Sequence, residues 1–243
     1  MLSTDILERK PRLRAIAALV PEDCQCLADL GTDHGYLPAA LLRAGRCRRA
    51  IAADIGAAPL ERARQTARLY GLEDRMELRL GGGLSVLAPG EADAIVIAGM
   101  GGDNITDILS AAPWCREGIL LLLQPMSRAE VLRQWLWEQD FHVRSERLVQ
   151  DKGVLYPIVE VRGGVRDRVP YTEADAWGGM GLERDPLWGR YLETAILRLR
   201  RAAAGLERAR DPALAERRER FLRISAELEK RKGAWRHADC ARD

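Results

Sequence analysis

The sequence predicts an α/β fold: a parallel sheet with helices on both faces, closed by an antiparallel pair and followed by a helical hairpin. Three observations predict it. Five short apolar runs alternate with helix-like stretches, which is the rhythm of βαβ units. Two further strand-like runs follow with only Gln-Asp-Lys-Gly between them. Residues 191–243 then carry apolar side chains at helical spacing. At 243 residues and 47% hydrophobic, the chain can bury a sizeable core.

Taken in order, apolar residues at Ile6, Leu7, Leu13, Ile16, Ala17, Leu19 and Val20 predict an amphipathic helix from Leu2 to Val20, irregular at Pro11. The strand-like runs are Leu27–Leu30, Ala50–Ala53, Met76–Leu80, Ala94–Ala98 and Ile119–Leu123. Between and after them lie helix-like stretches at Tyr36–Arg43, Leu60–Leu69, Asn104–Leu109 and Arg128–Glu138. Ser127-x-x-Glu130 reads as a capping box for the last of these. Phe141–Val149 and Val154–Val161 read as an antiparallel hairpin. Gly163-Gly164 opens a polar stretch expected to be a linker. Beyond it Leu192, Ile196, Leu199, Ala203 and Leu206 mark one helix, Asp211-Pro212 breaks it, and Leu214, Phe221 and Leu228 mark a second. The expected division is therefore a first domain over residues 1–163, a linker over 164–190 and a coiled-coil-like helical hairpin over 191–243.

Composition removes several classes. The longest runs free of charge, Leu80–Gly90 and Gly118–Ser127, are about half of a membrane span. No apolar signal core opens the chain, so a cytoplasmic location is expected and no membrane contact. The five cysteines and three histidines have no zinc spacing; reduced, mostly buried thiols and no metal are expected. The net charge of +2 hides an asymmetry. Residues 195–243 carry 14 Lys/Arg against 8 Asp/Glu, whereas residues 1–194 carry 24 against 28. A near-neutral body with a basic end points to a local polyanion contact.

The segment Leu27-Ala-Asp-Leu-Gly-Thr-Asp-His-Gly-Tyr-Leu-Pro38 reads as strand, glycine turn and helix start. Gly31 and Gly35 would let the backbone approach a ligand, and the helix start favours a ligand carboxylate. A dinucleotide fingerprint from Gly31 would need glycine where Asp33 and Tyr36 stand, so NAD is disfavoured. Asp29-x-Gly31-x-x-x-Gly35 instead resembles the turn that binds S-adenosylmethionine. Twenty-three residues after Gly31, Asp54 ends the second strand, where an acid can accept both ribose hydroxyls or simply cap the next helix.

The strand count is that of class I, Rossmann-like S-adenosylmethionine-dependent methyltransferases. Asp33-His34-Gly35-Tyr36-Leu37-Pro38, Ala98-Gly99-Met100-Gly101-Gly102, Gly83-Leu84, Leu122-Leu123-Gln124-Pro125 and the hairpin at Tyr156 sharpen that likeness. Together they resemble the TrmK-type bacterial tRNA adenine N1-methyltransferases, a class I domain followed by a helical coiled-coil domain. The resemblance implies methylation of N1 of adenine 22 in tRNA, with S-adenosyl-L-methionine as cofactor. Two departures stand out. Gly82 replaces the aspartate of the family's Gly-Asp-Gly-Leu, the natural partner of the cofactor's adenine amino group. Met126 replaces the asparagine of its Gln-Pro-Asn.

The expected cofactor-binding residues are Asp29, Gly31, Gly35, Asp54, Gly82, Gly83 and Gly99. The expected catalytic residues are Asp33 as charge stabiliser or amine partner, His34 as base-positioning group, and Met100 between glycines. For His34 a bond to the turn backbone is as good a reading, and for Met100 plain packing is. N1 lies on the pairing edge, so the adenine must be unpaired or swung out. Phosphate contacts are expected from Arg198, Arg201, Arg208, Arg217 and Arg220, with Arg200, Arg218 and Arg223 beside them; a solvated helical face is the bland alternative. Trp114, Trp135, Trp137 and Trp177 are expected in the core more than against bases. Two other functions remain open: a non-catalytic cofactor-binding or complex-forming module, and a small-molecule methyltransferase.

Overall fold

A computed structural model describes residues 4–164, 170–208 and 211–239. Contacts divide the chain into two compact units, Met1–Arg168 and Val169–Asp243. The first holds β1 (Cys26–Leu30), β2 (Arg49–Asp54), β3 (Met76–Leu80), β4 (Ala94–Gly101), β5 (Leu120–Ser127), β6 (His142–Asp151) and β7 (Val154–Arg162). They form one sheet of order β3-β2-β1-β4-β5-β7-β6, parallel through β5 and antiparallel at β5–β7 and β7–β6. The helices are α1 (Thr4–Leu7), α2 (Pro11–Ala17), α3 (Tyr36–Arg43), α4 (Ala57–Tyr70), α5 (Gly102–Ser110) and α6 (Ala129–Glu138).

The central strands are mostly apolar because both faces of the sheet are covered. Along β4 and β5, Ala94, Val96, Leu120 and Leu122 join one core, while Ile95, Ile97, Leu121 and Leu123 join the other. At the far edge Arg133 of α6 pairs with Glu146 of β6 at 2.9 Å, both fully buried. The β6–β7 turn is a two-residue connection with positive φ at Lys152 (48°) and Gly153 (82°), the mirror-type turn that matches strand twist. The expected hairpin is present.

Three local expectations are corrected. The N-terminal helix is two helices, because Pro11 lacks an N–H and opens α2. β4 and β5 run on past their apolar stretches, pairing Gly101 with Ser127. Ser127 therefore belongs to a strand, and α6 starts after Arg128 with no side-chain cap, so no capping box forms there. A capping box does form in the second unit, between Thr172 and Asp175.

That second unit contains α7 (Glu173–Gly178), α8 (Trp188–Gly205) and α9 (Pro212–Asp239). The stretch 164–190, expected as linker, thus holds a capped helix. Trp188 Nε1 donates to the Gly178 carbonyl at 2.7 Å, and Arg231 of α9 donates to Asp175 at 2.7 Å, so α7 packs into the unit. Leu192, Ile196, Leu199 and Ala203 of α8 are buried, as are Ile224 and Leu228 of α9. Asp211 Oδ1 accepts the Ala213 N–H at 2.9 Å where α9 begins at Pro212. Among the described residues no helix is long and apolar enough to cross a membrane. Cys24, Cys26, Cys47 and Cys115 are free and buried; Cys240 lies outside the described residues. Burial pushes the Cys24 and Cys47 thiols up to about 12, which keeps them neutral and unreactive.

Candidate functional site

Two cavities open at the carboxyl ends of the parallel strands, where the strand order reverses between β1 and β4 and ligands bind in such sheets. The larger, about 690 Å³, is lined by Asp54, Ile55, Gly81–Ser85, Met100 and the α5 residues Asn104, Asp107 and Ile108. The smaller, about 590 Å³, is lined by Arg9, Lys10, Arg12, Asp29, Asp33, His34, Tyr36, Met126 and Lys152. They share Gly31, Ala98 and Gly99, so one leads into the other across bare backbone.

The shape of that junction follows from local backbone. Gly31 has φ of 77°, and a Cβ there would strike the Met100 methyl. Gly99 has φ of 79° and open space in front of it, at a bulge where β4 loses register with β5. Met100 therefore turns over Gly31 and lines only the larger cavity. Its side chain thus packs at the junction without facing Asp33 or His34 in the smaller cavity. Gly35 lines neither cavity: its N–H donates to the Thr32 carbonyl at 2.9 Å, and a Cβ there would lie 3.1 Å from Ala63 of α4.

The carboxylates occupy three different settings. Asp29 is buried, with one hydrogen bond, from the Thr32 hydroxyl at 2.7 Å. Burial pushes its carboxyl up to about 6; the Thr32 bond opposes this and the Asp54 charge adds to it. Asp54 accepts the Gly56 N–H at 2.9 Å and the Asp33 N–H at 3.3 Å, which shapes both turns and leaves lone pairs toward the larger cavity. Asp33 holds positive φ (50°), pairs with Arg62 of α4 through Oδ1, and points Oδ2 at His34 Nε2, 3.6 Å away. His34 stacks on Tyr36, centroids 4.9 Å apart and 9° from parallel, and Lys10 Nζ sits 4.2 Å from the Tyr36 centroid.

Sequence reasoning missed several of these residues. Ile55 is 80% exposed on the wall of the larger cavity, an apolar platform whose signal was its position directly after Asp54. Arg12 donates to Asp151 at 2.8 Å, to Gln124 at 2.9 Å and to the Met126 sulfur at 3.2 Å, fastening α2 to the ends of β5 and β6. Nothing in the sequence signalled that Arg9 and Lys10 meet Lys152, far along the chain, at one mouth. Met126 presents a thioether there in place of an amide.

The cationic surface of the second unit is thinner than its sequence suggests. Arg220 pairs with Glu173, Arg200 with Glu229 at 3.2 Å, Arg198 lies over Trp177 and Arg217 over Phe221. Arg201, Arg208 and Arg223 are exposed and make no hydrogen bond or ion pair within the described residues. Trp135 stacks on Phe141 and Trp114 packs on the core, both as expected.

The site fits an adenosyl sulfonium bearing an amino acid. A buried carboxylate without a cation (Asp29) lies on one side of the shared glycines, and a turn acid with an apolar platform (Asp54, Ile55) on the other. Comparison with known proteins agrees. Residues 9–159 match the family model of a methyltransferase domain. The tRNA (adenine(22)-N(1))-methyltransferase of Bacillus subtilis is 34% identical over 187 residues, 76% of this chain and 75% of that protein. The crystal structure of the B. subtilis m1A22 tRNA methyltransferase TrmK superposes with a TM-score of 0.81 at 26% identity, covering 91% of this chain and 97% of that one. A Streptococcus pneumoniae protein solved in complex with S-adenosyl-L-methionine gives a TM-score of 0.74 at 27% identity, covering 88% and 98%.

Proposed function

This chain belongs to the TrmK-type family of tRNA (adenine(22)-N1)-methyltransferases, and from that premise we propose that it methylates N1 of adenine 22 in tRNA, using S-adenosyl-L-methionine. The observation that carries the proposal is the junction of the two cavities at Gly31, Ala98 and Gly99. A cofactor whose adenosine lies in the larger cavity and whose amino-acid end turns toward Asp29 meets a flat base there, with open space in front of Gly99 for in-line approach. The cofactor, when bound, supplies an activated methyl on sulfur. The protein must then only hold, align and exclude water, because neutral adenine N1 carries a free lone pair.

Each residue has a part in that alignment. Asp29 pairs with the ammonium of the amino-acid end and Asp54 accepts the ribose hydroxyls. His34 and Tyr36 present a stacked pair beside the base, and Met126 gives it an apolar contact. Asp33 faces the positive charge that grows on the base as N1 is alkylated. Arg9, Lys10 and Lys152 draw the phosphates flanking the target to the mouth, and a tRNA substrate places the protein in the cytoplasm. The chemistry is tested by incubating the protein with tRNA and a methyl-labelled cofactor, then mapping the modified nucleoside. One N1-methyladenosine at position 22 is expected, absent when position 22 is guanine; label elsewhere, or none, overturns the proposal.

In the second unit, Arg201 and Arg208 are the predicted phosphate contacts whose guanidinium groups are free. Changing both to Gln should lower tRNA affinity about tenfold at low salt and flatten the slope of log affinity against log salt by about 1–2. Arg220→Gln, which removes a group already paired with Glu173, should do less. Filter binding at several salt concentrations measures this. An unchanged slope in the double variant would remove α8 and its following turn from the RNA contact.

A further inference from the structure

Resting on the cofactor reading above, we propose that the Asp107 carboxylate on α5 recognises the 6-amino group of the cofactor's adenine. The transferable methyl has to lie where the two cavities meet, at Gly31 and Gly99, and the ribose at Asp54. The adenine then occupies the far part of the larger cavity, between Ile55, the turn after β3 and α5. A Cβ at Gly82 would lie 3.5 Å from Ile55 Cγ2, and one at Gly83 would lie 3.0 Å from Ile108 Cγ2, so both isoleucines pack on the glycine turn. Together they present apolar surface to a flat ring in the slot beside that turn.

An exocyclic amine is a donor and needs an acceptor at the end of the slot. The glycine turn offers no side chain, and the Gly82 carbonyl already accepts the Ser85 hydroxyl at 2.7 Å. α5 does offer one. Asp107 and Ile108 lie three and four residues after Asn104, and Ala111 four and three after them, so they share a face, and all four line this cavity. The helix carries two acids with different fates. Asp103 is paired with Arg128 at 3.1 Å, whereas the Asp107 carboxylate makes no hydrogen bond or ion pair with any described residue. It adjoins Ile108, the residue that rests on Gly83. Asp107 is therefore an unengaged anionic acceptor at the slot that holds the base, and its charge strengthens a hydrogen bond from the amine.

Hypoxanthine, which places a carbonyl where adenine has its amine, separates recognition from general binding. Calorimetry on the full chain would compare S-adenosylhomocysteine with S-inosylhomocysteine for the wild type, Asp107→Asn and Asp107→Ala. The wild type is expected to prefer the adenosyl compound by tenfold or more. Asp107→Asn, whose amide can turn to donate to the carbonyl, should shrink that preference to within threefold, and Asp107→Ala should bind the adenosyl compound about tenfold more weakly. Asp103→Asn should leave the preference unchanged. A preference that survives in both Asp107 variants, or is missing from the wild type, overturns this assignment and leaves the cofactor reading intact. Failure of the wild type to bind S-adenosylhomocysteine at all would overturn the cofactor reading itself.

Discussion

Asp33→Asn is expected to lower the single-turnover rate of tRNA methylation by about a hundredfold, the usual cost of losing one electrostatic partner in the transition state. The substitution isolates charge from shape. Asp33 sits at φ of 50°, a left-handed conformation that asparagine tolerates as well as aspartate, so the turn should persist. Its backbone N–H donates to Asp54 whichever side chain is present. Arg62 holds one carboxylate oxygen and the other faces His34, so the negative charge is fixed in place. Cofactor affinity should stay within about threefold, because asparagine keeps the turn and the backbone N–H that Asp54 accepts. Rapid-quench measurement with saturating cofactor decides the matter. A normal rate in the Asn variant would mean that the carboxylate serves Arg62 and the turn alone.

How much of this was legible in the sequence depends on the range of the interactions concerned. The strand rhythm was legible because β1, β2, β4 and β5 are buried on both faces and carry short, nearly continuous apolar runs. The Asp29–Gly35 turn and Asp54 were legible because their spacing is local and tied to strand ends. Ser127 misled because strand pairing between Gly101 and Ser127 overrode a local capping signal. α7 was missed because it is short and held by Arg231 of α9, distant along the chain. The same limit applies to the site. Met100 stood among glycines with a catalytic place or plain packing both open, and only the bulge in β4 shows it packed over Gly31. The mouth formed by Arg9, Lys10 and Lys152 required the fold to bring α2 beside the β6–β7 turn. Charge counts along the helical hairpin do not show which arginines are engaged by Glu173, Glu229, Trp177 or Phe221.

Asp29→Asn should move stability and cofactor affinity in opposite directions. Burial holds the Asp29 carboxyl near 6 in the folded protein, against about 3.9 for an unfolded aspartate. Below pH 4 both states carry the proton and the group costs nothing. Between about pH 4 and pH 6 the unfolded chain releases its proton first, so folding stability falls as pH rises. Above pH 6 the carboxylate is ionised in both states and the penalty is constant, on the order of 2–3 kcal/mol. Asparagine removes that penalty and still accepts the Thr32 hydroxyl, while its amide hydrogens reach water in the cavity. The free variant should therefore melt higher than wild type by several degrees at pH 7.5, and the gap should narrow toward pH 4.5. Cofactor binding should respond in the other sense. The variant loses a charge-assisted contact with the ammonium worth roughly 1.5–3 kcal/mol, a tenfold to hundredfold loss of affinity at pH 7.5. Wild-type affinity should weaken as pH drops below about 6, where Asp29 takes up its proton, and the variant should show no such dependence on this group. Melting curves and calorimetry at pH 5.5 and 7.5 on both proteins test the pair of effects together. A variant that melts lower than wild type at pH 7.5, or binds the cofactor equally well there, would show that Asp29 is a structural acid and not the ammonium's partner.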